Sequence, residues 1–294
     1  MPRAASNGIE IEYETFGDAA SPTVLLITGF MGQLIAWEDD FCTMLAEHGL
    51  HVVRFDNRDT GYSTHLDGVR VDALAMAPAA DAGRSAAGVP YLLSDMAADA
   101  VGLLDHLGVQ RAHVVGESMG GMIAQLIAIE HPGRIITLTS IMSHPGDLDV
   151  GQPDPEVAAA MLAAPPEDPE GAIAHTAEVI KLIGSPRYYD EKRAKETARA
   201  ARDRMTYPEG AIRQYAAIMA SPSRTEDLRR LDVPTLVIHG RADRVVPLSG
   251  GQRVAEVVPG ANLLVLHDMG HDRPEPLWPL IVDAVVSHTR HAIG

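Results

Sequence analysis

The chain has 294 residues, enough for one large domain or a domain carrying an insertion, and it can bury a sizeable core without staples. Acidic side chains outnumber basic ones by 40 to 24, a formal charge of −16, so most of the surface repels a polyanion and nucleic acid is not an expected partner. The single cysteine excludes an internal disulfide, and no run approaches the roughly 18 apolar residues of a membrane span, so the expectation is a soluble cytoplasmic protein with no membrane partner.

Residues 9–16 alternate like a strand, and Gly17-Asp18 and Ser21-Pro22 punctuate the chain before the apolar run Val24-Leu25-Leu26-Ile27, which reads as a buried strand. A helical period follows over 33–47, closed by Gly49, and His51-Val52-Val53-Arg54-Phe55 reads as the next strand. Cys42 shares the apolar face of that helix with Trp37, Phe41, Met44 and Leu45 and is expected to be a buried, inert hydrophobe.

Residues 65–88 are rich in Ala, Gly and Asp without a period and are expected to form a long excursion over the surface. Helical spacing returns over 95–107, where Met96, Ala100, Leu103, Leu104 and Leu107 share a face and Gly108 stops the helix. A strand over 112–115, an apolar helix over 119–129 ended by His131-Pro132-Gly133, and a strand over 135–142 complete the run. This βα alternation predicts a mainly parallel sheet covered by helices on both faces.

The pattern then changes. From about 143 to 225 there are proline-rich breaks and helical segments, at 156–162, 190–205 and 211–220, with no strand, which predicts a helical insertion. Strand signals resume at 234–238 and 263–266, separated by a helix at 248–258 and followed by a terminal helix at 277–288. The expected organisation is therefore a core of 1–142 and 227–294 with a cap of 143–226 inserted into it.

Gly116-Glu117-Ser118-Met119-Gly120-Gly121 sits between a strand and an apolar helix, which is the context a G-x-S-x-G elbow requires. The turn is sharp and the serine strained, so a Cβ at Gly116 or Gly120 would crowd neighbouring backbone. A serine hydroxyl is a poor nucleophile at neutral pH. It needs a histidine to take its proton and a carboxylate to hold that histidine, in the chain order Ser, acid, His.

Asp243 follows the strand that begins near Val233 and is the expected acid, preferred over the reading of a turn-forming aspartate that caps the next helix. His271 follows the last strand in a loop that Gly270 allows to bend inward, and it is preferred as base over His267, which continues the strand. The oxyanion of a tetrahedral intermediate needs two amide donors. Met119 N–H is expected to supply one and Phe30 N–H, in the loop Gly29-Phe30-Met31-Gly32, the other.

These residues resemble the α/β-hydrolase superfamily along nearly the whole chain: Gly29-Phe30, Arg54-Phe55-Asp56-Asn57-Arg58-Asp59-Thr60-Gly61-Tyr62-Ser63, the Ser118 elbow, His239-Gly240-Arg241-Ala242-Asp243 and Met269-Gly270-His271. The segment Arg58 to Ser63 and the loop Thr28 to Gly32 look most like the aclacinomycin methylesterase group. The superfamily usually carries His-Gly where this chain has Thr28-Gly29. The resemblance implies an α/β-hydrolase fold, a structural rather than catalytic role for 56–63, and hydrolysis of a carboxylic ester, methyl ester or lactone through an acyl-enzyme. Members that open epoxides or remove halides place an Asp at the elbow, so Ser118 counts against both chemistries.

No metal or organic cofactor is expected, the expected partner is a small-molecule ester substrate, and the protein is expected to be a monomer or homodimer. Aromatic residues are only 4% of the chain against 12 methionines, so a pliable pocket is expected. Met31, Trp37, His144, Met161, Met205, Tyr207, Tyr215 and Met219 are the candidates to line it. Two other readings keep the same fold: a hydrolase that cleaves a carbon–carbon bond or transfers to peroxide, and a binding protein without turnover.

Overall fold

The computed structural model describes residues 1–71 and 88–291. In chain order the elements are β1 (Arg3–Ser6), β2 (Ile9–Phe16), β3 (Thr23–Ile27), α1 (Asp39–Glu47), β4 (His51–Phe55), α2 (Leu93–His106), β5 (Ala112–Glu117), α3 (Met119–Glu130) and β6 (Ile135–Ile141). Then come α4 (Pro155–Leu162), α5 (Pro169–Ile183), α6 (Glu191–Arg204), α7 (Pro208–Ala220), the single turn α8 (Thr225–Leu228), β7 (Thr235–Gly240), α9 (Leu248–Val257), β8 (Asn262–Leu266) and α10 (Trp278–His291).

The strands form one sheet in the order β1-β2-β4-β3-β5-β6-β7-β8. β1 with β2 and β2 with β4 are antiparallel, and every other pairing is parallel. β3 and β4 are buried along their whole length, which is why β3 reads as an apolar run rather than an alternation.

Side-chain alternation along β3 divides the core between the two faces of the sheet. Leu25 and Ile27 join Met96, Leu103 and Leu104 of α2, Ile123 and Ile127 of α3, and Val254 of α9. Val24 and Leu26 join Phe41, Cys42 and Leu45 of α1 and Trp278, Ile281 and Val285 of α10. Each fully buried Leu or Ile contributes about 1.5–3 kcal/mol relative to exposure, so these two layers dominate the stability. Cys42 lies inside the second layer, and burial pushes its thiol up to about 12, which leaves it protonated.

Several expected elements differ in extent, and β1, α5 and the single turn α8 are new. The helix expected over 33–47 is a 3₁₀ turn at Leu34–Ala36 followed by α1. The edge strand β1 and the helix α5 carry no signal strong enough to be expected. α5 begins with Pro169 in its first turn and Asp168 as N-cap, whose Oδ1 accepts the Gly171 N–H at 2.7 Å. Read locally, Pro169 and Gly171 are punctuation, but here they open a helix. The excursion expected over 65–88 falls mostly outside the described residues. Between β6 and β7 the chain contributes α4 to α8 and no strand.

Candidate active site

The turn from β5 into α3 carries Ser118 at φ 53°, ψ −120°, a left-handed conformation rarely adopted by a non-glycine residue. It is over-determined by its neighbours. Ser118 N–H donates to the Ile141 carbonyl at 2.9 Å, and the Ser143 hydroxyl donates to the Ser118 carbonyl at 2.7 Å. A Cβ on Gly116 would lie 2.0 Å from the Gly120 carbonyl oxygen, and one on Gly120 would lie 2.2 Å from that of Ile27. Only glycine fits at either position.

Ser118 Oγ lies 2.9 Å from His271 Nε2, and His271 Nδ1 lies 2.8 Å from Asp243 Oδ2. The other carboxylate oxygen of Asp243 accepts the N–H groups of Val245 and Val246, each at 2.9 Å, so the acid is oriented by backbone as well as by the imidazole. An ionised carboxylate can only accept, so Nδ1 carries the proton and Nε2 is left to accept from the serine hydroxyl. His239 lies behind the carboxylate, its Nε2 2.7 Å from the Val246 carbonyl and 3.6 Å from Asp243 Oδ2. Burial lowers the pKa of His239, so it sits there neutral.

Burial acts to lower the pKa of His271 as well. The charge of Asp243, its hydrogen bond, and the charges of Glu117 and Asp272 outweigh that effect and leave the imidazole raised above its ordinary value.

The loop after β3 passes very close to the serine: a Cβ on Gly29 would lie 3.1 Å from the Ser118 Cβ. Thr28 Oγ1 donates to the Gly32 carbonyl at 3.0 Å, and Asn57 Nδ2 donates to Thr28 O at 3.2 Å and Oγ1 at 3.1 Å. Thr28 and Asn57 thus brace the loop. Met31, at φ 61°, donates its N–H to Gln214 Oε1 of α7 at 3.0 Å. That commits the Met31 amide, whereas the Phe30 and Met119 amides meet no acceptor among the described residues.

Residues 22–273 match the family described as the alpha/beta hydrolase fold. The chain belongs to the α/β-hydrolase family. A rhodomycin D methylesterase of Streptomyces peucetius is 30% identical over 301 residues, covering 95% of this hydrolase and 94% of the relative. A 2-hydroxymuconate semialdehyde hydrolase of Pseudomonas putida is 32% identical over 181 residues, covering 58% of this chain and 60% of the relative. Among solved structures, an enol-lactonase of Burkholderia xenovorans superposes with a TM-score of 0.75 at 23% identity, covering 98% of this chain and 100% of that one.

The pocket candidates of this hydrolase do not all lie together. Tyr215 of α7 pairs with Phe30, ring centroids 6.1 Å apart, and so stands beside the loop after β3. Met161 packs with Val157, Val245 and Val246, next to the loop that carries Asp243. His144 follows Ser143, and its Nδ1 accepts the Gly146 N–H at 3.1 Å. Met31 is 54% exposed on the loop after β3, and Met219 is half-buried on α7.

Three candidates are elsewhere. Trp37 is wholly buried in the core, its ring 3.9 Å beneath the Arg273 guanidinium and packed on Phe41, because the 3₁₀ turn at Leu34–Ala36 directs it inward. Tyr207 stacks on His65 at 3.9 Å, and its hydroxyl donates to Asp67 and accepts from Arg213, both at 2.7 Å, so it serves as a surface tie. Met205 lines a surface depression with Arg3, Tyr62 and His65.

The segment 56–63 has a structural role. Asp56 accepts from the Leu34 and Tyr62 amides and from Arg204; Arg58 forks onto Asp99, and Arg213 onto Asp59. Arg204 and Arg213 belong to α6 and α7, so this segment anchors the helical insertion to the core. Gln214, which joins Arg58 and Thr60 to Met31, was not foreseen, nor was the buried pair Glu117–Arg273. Glu117 and Arg273 flank the Ser118 and His271 motifs, which is the one local hint that they matter.

Proposed function

We propose that this hydrolase cleaves carboxylic esters of small to medium apolar substrates, methyl esters and lactones included, through an acyl-enzyme on Ser118. The observation that carries this reading is the continuous hydrogen-bond chain from Ser118 through His271 to Asp243, at 2.9 and 2.8 Å. Its similarity over nearly the whole chain to a methylesterase supports ester hydrolysis in particular.

In this mechanism Ser118 Oγ attacks the ester carbonyl as His271 Nε2 takes its proton. The oxyanion is met by the Met119 and Phe30 N–H groups, and the imidazolium is stabilised by Asp243. His271 then protonates the leaving alkoxide, leaving an acyl-serine. Water, deprotonated by His271, attacks that acyl group, and collapse restores Ser118 and releases the acid. Every proton moves on the histidine.

Residues 1–142 and 227–294 form the catalytic core in this proposal, and 143–226 form a cap that roofs the site and sets acyl or alcohol preference. Met31, His144, Met161, Tyr215 and Met219 are its lining candidates. We further place the enzyme in the cytoplasm as a monomer or homodimer. Among the described residues no helix is long and apolar enough to cross a membrane.

The shorter similarity to a 2-hydroxymuconate semialdehyde hydrolase supports a second reading, cleavage of a carbon–carbon bond with the same side chains. Product analysis distinguishes an alcohol from a carbon leaving group. The test is turnover of a panel of methyl and p-nitrophenyl esters by the wild type and Ser118→Ala. Ester hydrolysis lost in the variant is the expected result. Equal rates in both would overturn Ser118 as nucleophile, and no hydrolysis in either would overturn ester cleavage in favour of the second reading or of a binding protein.

A further inference from the structure

The loop that carries His271 has little structure of its own. It lies between β8 and α10, outside the sheet ladder, so its backbone N–H groups must find acceptors elsewhere. Two of them find acceptors in the proposed cap. His271 N–H donates to the Ile183 carbonyl at 2.8 Å, and Gly270 N–H donates to Ser185 Oγ at 2.9 Å. The Ser185 hydroxyl spends its own proton on Asp272 Oδ1. Residues 270, 271 and 272 are thus each gripped by the segment 183–185, which leads from α5 towards α6.

The two backbones are nearly in contact. A Cβ on Gly270 would lie 2.3 Å from the Gly184 carbonyl oxygen and 2.8 Å from Ser185 N, and one on Gly184 would lie 3.0 Å from Asp272 Oδ2. Ser185 is 1% exposed, so its hydroxyl is committed to these partners and shielded from competing water. A buried hydroxyl carries a desolvation cost unless it is satisfied, and here it is satisfied as acceptor and as donor.

We propose that Ser185 is a positioning residue for His271, so that the cap, by gripping the loop of the general base, holds the imidazole within proton-transfer distance of Ser118. Asp243 fixes only one edge of the ring, through Nδ1. The backbone position from which the ring projects is set separately, by Ser185 and the Ile183 carbonyl. The inference rests on the ester-hydrolase reading. It adds that the cap contributes to proton transfer as well as to selectivity, because any displacement of the α5–α6 link displaces the base.

The test uses the full-length protein and two readouts: the rate at which a fluorophosphonate labels Ser118, which needs no knowledge of the substrate, and steady-state hydrolysis of a p-nitrophenyl ester. Displacing a catalytic group by about an ångström costs on the order of 100-fold. Ser185→Ala is therefore expected to slow labelling and lower kcat by about 10- to 100-fold, with KM unchanged. Ser185→Thr, which keeps the hydroxyl, is expected to restore both. Asp272→Ala, which removes one of the two partners, is expected to lower kcat with KM unchanged and serves if Ser185→Ala does not fold. Wild-type rates in Ser185→Ala, or in Asp272→Ala where it alone folds, would overturn the positioning role while leaving the ester-hydrolase reading intact, as would a loss confined to KM. Absence of Ser118 labelling in the wild type would overturn both.

Discussion

Glu117 and Arg273 form a buried ion pair, 2.6 Å from Nε to Oε2, that runs beside the hydrogen bond between Ser118 and His271. Glu117 immediately precedes the serine, and Arg273 lies two residues beyond the histidine. The elbow and the histidine loop are therefore joined twice, by the chemistry and by a neighbouring salt bridge. Arg273 extends the tie by donating to the Ala36 carbonyl at 2.6 Å and by covering the Trp37 ring.

Breaking that pair has two expected consequences. Leaving the Arg273 charge buried with Glu38 as its remaining acidic neighbour costs about 3–5 kcal/mol, so Glu117→Gln should unfold at distinctly lower urea. The second consequence is on activity. His271 accepts a proton only when neutral, and the Glu117 charge helps Asp243 and Asp272 to hold its pKa above the ordinary value. Removing that charge lowers the pKa, so the acid limb of the kcat/KM profile should move to lower pH. An unmoved limb would show that Glu117 does not act on the base.

Asp243→Asn should lower kcat by about 10⁴-fold. The amide can donate where the carboxylate only accepted, which reverses the tautomer of His271 and leaves Nε2 protonated against Ser118. Steady-state kinetics check this, and a loss below tenfold would point to another acid. Combining the change with Ser118→Ala should cost little more than Ser118→Ala alone, because the groups act as a unit.

Gln214 links α7 to the loop after β3, accepting from the Met31 amide and donating to the Arg58 carbonyl at 2.9 Å. Gln214→Leu strands the buried Arg58 carbonyl, leaves the Met31 amide without this acceptor and should destabilise the fold by about 1–3 kcal/mol. It also frees the loop that presents Phe30. Loss of an oxyanion donor costs about 10²–10³-fold in kcat, and a loosened donor should cost about tenfold, read in kcat rather than KM. Equal kcat with unchanged KM would show that the loop is held by Thr28 and Asn57 alone.

His113 on β5 is wholly buried, its Nδ1 2.9 Å from Thr137 Oγ1, and burial lowers its pKa to about 4. Its unfolded pKa is near the ordinary ~6.5. Between these values the unfolded chain binds the proton and the folded chain does not, so its contribution is fully present above about pH 6.5 and is lost as pH falls towards 4. The full loss is on the order of 3 kcal/mol. His113→Asn should therefore show a shallower decline of unfolding free energy from pH 6.5 to 4.5 than the wild type. Parallel declines would rule out His113 as a source of acid sensitivity.

The sequence by itself determined what is decided by neighbours along the chain. Burial on both faces wrote β3 as an apolar run, and the steric demand of the elbow placed glycines at 116 and 120 around Ser118. The chain order of Ser118, Asp243 and His271 was legible because each sits just beyond a strand, and a parallel sheet delivers such positions to one edge. The helix α5 was not legible. Its interior is only partly buried, so its apolar face is thin, and its opening Pro169 and Gly171 look like a loop until Asp168 is seen to cap them.

The tertiary structure decided the pairings that no local rule can state. Gln214 meets Met31 from 183 residues away, Ser185 meets Gly270 from 85, and Glu117 meets Arg273 from 156. In each case a buried polar group finds its partner on another element, and which element lies opposite is fixed by strand order and helix packing. Trp37 illustrates the same limit from the apolar side. Its type suits a pocket or a core equally well, and only the turn that precedes it and the guanidinium above it direct the ring into the core.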